Sequence, residues 1–290
     1  MEAQQDAAEV RGSMLWREMR GVRYLIRTSA RGAQRSLGPD SPETRGVHER
    51  FLERKHAAQL RLKSLNERLL EQQKLNRVYR VGRAPNVVVR ILNELNKAGI
   101  ADQFLAVGTH ALYAYESACG VQIGTEALAT RDIDLLFDTR KNMAFLSTMK
   151  RLDTSLISVL RKADSSFKVL RSQLQTAVND TGFEVDIIRR MAKDADPHPL
   201  RMTDDENALW AVQVPSGETM LSSQTFEQMV VSVSGEMAMM RTLGPMAFVR
   251  VKKKLAQSPG RDPVKRPKDK LQADIVKHLW DEYLRHRPAA

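Results

Sequence analysis

Two short segments of this 290-residue chain alternate acidic and apolar residues with a period of two, and this pattern constrains the fold more than any other feature. They are Asp132-Ile133-Asp134-Leu135-Leu136-Phe137 and Phe183-Glu184-Val185-Asp186-Ile187-Ile188. Successive side chains on a strand point to opposite faces, so Ile133, Leu135 and Phe137 can enter a core while Asp132 and Asp134 stand together on the other face. Strands disfavour Asp, and two adjacent carboxylates repel each other unless water or a cation relieves them. In the second segment Phe183, Val185 and Ile187 face inward, which puts Glu184 and Asp186 on the opposite face. Either segment alone also fits an acidic, solvated strand face. If the two strands are neighbours, Asp186 supplies a third carboxylate and the group suits hard divalent cations such as magnesium.

A third segment, Val107-Gly108-Thr109-His110-Ala111-Leu112, reads as a strand turning into a helix at a glycine. Glycine lets backbone approach a ligand closely, and the N–H groups of a helix start favour an anion such as phosphate. Thr109 adds a hydroxyl donor. The same residues also make an ordinary turn with an N-cap. His110 reads as packing or capping this turn, and Cys119 as a small buried residue. Trp210, Trp280 and Tyr283 read as core.

The remaining elements follow from periodicity and breakers. Met14 to Arg31 is an arginine-rich amphipathic stretch, followed by a loop at Gly38-Pro39-Asp40-Ser41-Pro42. Residues 43–78 are helical, with Phe51, Leu60, Leu62, Leu65, Leu69 and Leu70 near helical spacing. Residues 86–98 form a helix with Val88, Val89, Ile91, Leu92 and Leu95 on its buried face. Strands are expected at 104–107, 132–137, 167–170, 174–178 and 183–188. A hairpin is expected at 226–243 around Ser234-Gly235. Helices are expected at 111–117, 142–152, 155–162, from Pro245 to about 257, and at 268–285. The order predicts an α+β fold, with a mixed sheet flanked by helices, an N-terminal helical extension and C-terminal helices. The expected division is a basic helical extension (1–84), a central domain (85–244) and a C-terminal helical segment (245–290).

Charge separates these regions. The net charge is +11, with 19 Lys/Arg against 10 Asp/Glu in residues 1–90, 15 against 20 in 91–249, and 12 against 5 in 250–290. Basic flanks around an acidic middle fit a metal site beside a polyanion, although basic residues also serve as solvated helix faces. The single cysteine excludes an internal disulfide and a cysteine-built zinc site. No apolar run reaches membrane-spanning length, and the first 18 residues lack the apolar stretch of a secretory signal. The expectation is a cytoplasmic protein with no membrane partner.

Taken together, the Gly-Thr turn opening a helix, the Asp-x-Asp strand and the single Asp on a later strand resemble the DNA polymerase β-like nucleotidyltransferase superfamily. The Gly108-Thr109-His110-Ala111-Leu112, Arg131-Asp132-Ile133-Asp134 and Glu184-Val185-Asp186-Ile187-Ile188 segments are similar to bacterial nucleotidyltransferase-fold proteins, including AbiE-type toxins. The basic segment Lys252-Lys253-Lys254-Leu255-Ala256 and the later Arg266-Pro267-Lys268-Asp269 resemble their C-terminal lysine helix and Arg-x-Lys-Asp segment. The resemblance covers residues 85–285. It implies transfer of a nucleoside monophosphate from an NTP to an RNA (including tRNA) or protein hydroxyl, with Mg2+ or Mn2+ held by Asp132, Asp134 and Asp186. It further implies nucleotide contacts from Gly108, Thr109, Arg131, Lys254 and Lys268, and a toxin-like member would have an antitoxin partner. The 24 positions from Gly108 to Asp132 exceed the spacing of compact members, and residues 118–129 are expected to form a loop near the site. The alternative reading is a non-catalytic nucleic-acid-binding or regulatory module that keeps the fold.

Overall fold

The structure is a computed structural model that describes residues 2–30, 32–193, 196–203 and 208–286. It divides into two compact units, Met1–Leu75 and Asn76–Ala290.

The first unit contains α1 (Glu2–Glu9), the strands β1 (Ser13–Met19), β2 (Val22–Thr28) and β3 (Gln34–Pro39), and most of the 37-residue helix α2 (Pro42–Val78). The helical extension expected from the sequence is present in α1 and α2, but the arginine-rich stretch between them is an antiparallel three-stranded sheet. Arg20 and Gly21, at φ 53° and 77°, connect β1 to β2 in two residues, the backbone sense that suits a right-twisted hairpin. One face of the sheet packs on α2: Trp16 meets the ring of His48 edge-on and the Arg27 guanidinium lies 4.5 Å from the Phe51 ring centre. Leu15, on the other face, stays exposed, so apolar residues fall on both faces and the period of two is blurred. Ser41 and Thr44 open α2 by exchanging bonds, with the Ser41 N–H donating to Thr44 Oγ1 (2.9 Å) and the Thr44 N–H to Ser41 Oγ (3.3 Å). Among the described residues no helix is long and apolar enough to cross a membrane.

The second unit is built around a mixed sheet. Helix α3 (Asn86–Lys97) buries Val88, Val89, Ile91, Leu92 and Leu95, and Gly99 at φ 70° ends its last turn. Next come β4 (Phe104–Val107), α4 (Ala111–Cys119), the short α5 (Thr125–Leu128) and β5 (Asp132–Phe137). Helices α6 (Asn142–Leu152) and α7 (Leu156–Ala163) lead to β6 (Lys168–Leu170), β7 (Gln173–Val178) and β8 (Glu184–Arg189). Strands β9 (Leu200–Arg201) and β10 (Trp210–Gln213) and helix α8 (Gly217–Leu221) were not evident in the sequence. The hairpin β11 (Thr225–Val231) and β12 (Met237–Leu243) precedes α9 (Pro245–Gln257) and α10 (Lys265–Leu279), which runs on in a π turn to Leu284.

Within the sheet the order is β4-β5-β8-β10-β9. β5 lies antiparallel to β4 and parallel to β8. The far edge of β8 pairs with β7 through Glu184, Val185 and Asp186, then with β10 through Ile188 and Arg189. Phe104, Phe137 and Phe145 pack ring against ring beneath the sheet, with centroids 5.3–6.0 Å apart. The expected loop at 118–129 contains α5, whose Ala127 and Leu128 are buried.

Candidate active site: three carboxylates beneath a glycine corner

The core side of β5 is fully buried at Ile133, Leu135 and Phe137, so the pleat turns Asp132 and Asp134 to the opposite, half-buried face. Parallel pairing with β8 sets Asp132 opposite Glu184 and Asp134 opposite Asp186. Carboxylate oxygens of Asp132, Asp134 and Asp186 lie within 4.8 Å of one another. Two hydroxyls orient the group: Thr130 donates to Asp132, and Thr176, opposite Asp186 on β7, donates to Asp186 Oδ1. Neither threonine was singled out from the sequence. Thr176 sits on a strand whose composition gives no sign of a site, and its importance comes from its register with Asp186.

No Lys or Arg forms an ion pair with any of the three carboxylates among the described residues. Burial, reinforced by the charges of Asp132 and Asp186, pushes the Asp134 pKa up to about 7. Asp186 is raised as well, by burial and by Asp132, against the opposing bond from Thr176. Three clustered acids in a half-buried site are therefore complementary to a divalent cation, which removes the repulsion that raises these values.

Without a bound metal, this shift couples the Asp134 carboxyl to stability. Asp134 titrates near 3.8 when unfolded and near 7 when folded, so the native state binds the extra proton between those values. Stability is then highest below about pH 4 with respect to this group and falls as pH rises through about 7, by on the order of 2–4 kcal/mol. Asp134→Asn is expected to remove this loss, so in EDTA at pH 8 the variant melts above wild type, whereas at pH 5 the gap narrows. Urea titrations at the two pH values measure it, and a variant less stable at pH 8 would refute the assignment.

Gly108 forms the corner above this group. Its φ is +70°, and a Cβ built on it would lie 2.5 Å from Asp134 Oδ2. Only glycine relieves both constraints. Gly108→Ala is expected to destabilise the protein by about 1–2 kcal/mol and to shift the Asp134 carboxylate. Turnover is expected to fall about a hundredfold, as for a misplacement of about 1 Å at a reacting centre. Thermal melts and steady-state rates check both effects.

Helix α10 reaches the same corner. Gln272 donates to Thr109 Oγ1 (3.1 Å) and to the Ala127 carbonyl (2.7 Å), and Lys268 Nζ donates to the Ala129 carbonyl. The segment before β5 is thereby tied to both Thr109 and α10. Lys268 lies close enough to Asp132 for their charges to interact, and its pKa is lowered mainly by burial and then by Lys252. Arg131 is exposed, and its carbonyl accepts from the Glu184 N–H (2.8 Å) to start the β5–β8 pairing. Lys254 is exposed. The lysine of α9 that turns inward is Lys252, which donates to Asp269 (2.8 Å), and Asp269 also accepts from Arg261 (2.7 Å). His110 is buried against the rings of Tyr113 and Phe183, and burial pulls its pKa down to about 4, so the imidazole is neutral near pH 7.

The structure thus brings Asp132, Asp134, Asp186, Gly108, Thr109 and Lys268 around one location and leaves Arg131 and Lys254 with exposed side chains. The mixed sheet carries paired acids on one strand, a third on its parallel neighbour and a glycine turn at a helix start. A nucleotidyltransferase family model matches residues 86–290, well over half of the chain, and the protein belongs to that family. No curated protein and no solved structure matches the chain.

Proposed function

We propose that the protein transfers a nucleoside monophosphate from an NTP to a hydroxyl of RNA or protein, using Mg2+ or Mn2+ held by Asp132, Asp134 and Asp186. The observation that carries this reading is the convergence of the three carboxylates within 4.8 Å beneath the Gly108 corner. Bound divalent cations would neutralise phosphate charge and align the attacking and leaving oxygens.

The chain's own residues supply the rest. The backbone of the Gly108–Thr109 turn would cradle the β- and γ-phosphates, and the Thr109 hydroxyl, which accepts from Gln272, would donate to them. Lys268 adds positive charge near Asp132, and the exposed Arg131 and Lys254 are proposed as further phosphate contacts. Asp186 is oriented by Thr176 through Oδ1, which leaves Oδ2 to accept the proton of the attacking hydroxyl. The new phosphoester bond forms at the α-phosphorus as pyrophosphate departs. The basic residues of the two ends of the chain favour a polyanionic acceptor, which ranks RNA above protein.

The test is incubation of the full chain with each α-labelled NTP, magnesium and total RNA. Label in RNA or in protein, lost in EDTA, is the expected result and names the acceptor class. Absence of label in either fraction, with no magnesium-dependent NTP affinity by calorimetry, would favour a non-catalytic module.

A further inference from the structure

Outside the acid cluster, the second unit contains a cavity of about 350 Å³ between the chain after α2, the side of α4 and strand β11. This is within the roughly 300–1,000 Å³ of small-molecule sites. Tyr79, Tyr113, Val121 and Val231 line it, together with Arg83 and Glu116. Glu116 is 92% buried by its relative exposure of 8%, and its Oε2 accepts from Arg83 (2.8 Å) and from the Ile123 N–H (2.7 Å). Arg83 also donates to the Ile123 carbonyl (2.9 Å). Those bonds use one oxygen of Glu116 and one nitrogen of Arg83. Tyr113 both lines the cavity and stacks on His110, the first side chain after the Gly108–Thr109 turn, at 5.7 Å between centroids. Arg80 completes the exposed rim.

These groups restrict the ligand. A lone anion meets the Glu116 carboxylate, a lone cation meets two arginines, and a purely apolar molecule strips water from a charged pair without replacing its hydrogen bonds. A planar heterocycle with donors and acceptors side by side satisfies the pair and offers its faces to tyrosine rings and aliphatic walls. The rim arginine suits a phosphate attached to it.

We propose that this cavity is a nucleobase site, in which Glu116 and Arg83 read the polar edge of a base while Tyr79 and Tyr113 contact its face. The inference rests on the nucleotidyl-transfer reading for its biological meaning, but not for its test. The base comes either from a free nucleotide or from a nucleotide of the acceptor strand.

The full chain in EDTA is titrated with AMP, GMP, CMP, UMP and a mixed-sequence five-nucleotide RNA, at about 50 and 200 mM salt. Saturable binding of at least one probe is expected, weakened about tenfold or more in Tyr79→Ala and in Glu116→Gln. Tyr79 is 74% exposed, so its replacement leaves the core untouched, and Glu116→Gln keeps the side-chain shape. Mononucleotide binding identifies a free nucleotide as the source, and binding of the RNA alone identifies the acceptor. No saturable binding of any probe, or binding unchanged in both cavity variants, overturns the proposal. A wild-type protein that binds but never turns over NTP leaves the cavity assignment standing and removes the catalytic one, and turnover without cavity binding does the reverse.

Discussion

Alanine at both Asp132 and Asp134 is expected to lower nucleotidyl transfer by about a thousandfold or more while the protein stays folded. The two carboxylates project from a strand whose other face is fully buried, and neither forms an ion pair among the described residues. Their removal would therefore take away the proposed cation binding without opening the core. A cation in such a site contributes several kcal/mol to the transition state, and about 4 kcal/mol corresponds to three orders of magnitude in rate. The same substitutions relieve the repulsion that raises Asp134 and Asp186, so the melting temperature in EDTA is expected to hold or rise. Loss of activity with unchanged or increased stability separates a functional acid cluster from a structural one. Wild-type turnover in the double variant would remove the site.

The second large effect is expected at Asp269. Its side chain is 2% exposed and accepts from Lys252, itself 7% exposed, and from Arg261. Burial alone would raise the Asp269 pKa, but the bonds from Arg261 and Lys252 hold it below the usual carboxylate value. Burial lowers the Lys252 pKa, opposed by Asp269. Asp269→Ala leaves Lys252 buried without its partner, and breaking a buried pair in this way destabilises by about 3–5 kcal/mol. Replacing the pair together, as Lys252→Met with Asp269→Leu, is expected to recover most of that loss, since Arg261 can reach water and the apolar pair needs no partner. Denaturant unfolding of the single and double variants measures both. An Asp269→Ala loss below about 1 kcal/mol would show that this pair does not hold α9 to α10.

The C-terminal motif illustrates how far local sequence can be read. Three consecutive lysines, Lys252, Lys253 and Lys254, are indistinguishable in composition, and the resemblance points to Lys254. In the fold Lys252 turns inward to Asp269, because the helical phase that buries Phe248, Val249 and Val251 carries Lys252 with it, whereas Lys253 and Lys254 face water. Gln272 carries no sequence signal, yet it bonds to both Thr109 and Ala127, which are 163 and 145 positions away. The N-terminal strands were hidden for another reason. Leu15 and Met14 point to opposite faces, and arginines alternate with both, so neither a period of two nor one of 3.6 stands clear.

By itself, the sequence determined that 132–137 and 183–188 are strands with acids on one face, that Gly108 opens a helix, and that α3, α6 and α9 begin near Asn86, Asn142 and Pro245. Those features depend on the alternation of neighbouring side chains and on glycine and proline geometry, which are local. Only the tertiary structure decided that β8 lies parallel beside β5 in the register that sets Asp186 against Asp134, and that Thr176 and Gln272 hold the site. Strand pairing and helix docking are selected by many weak contacts between distant segments, so no single stretch of residues encodes them.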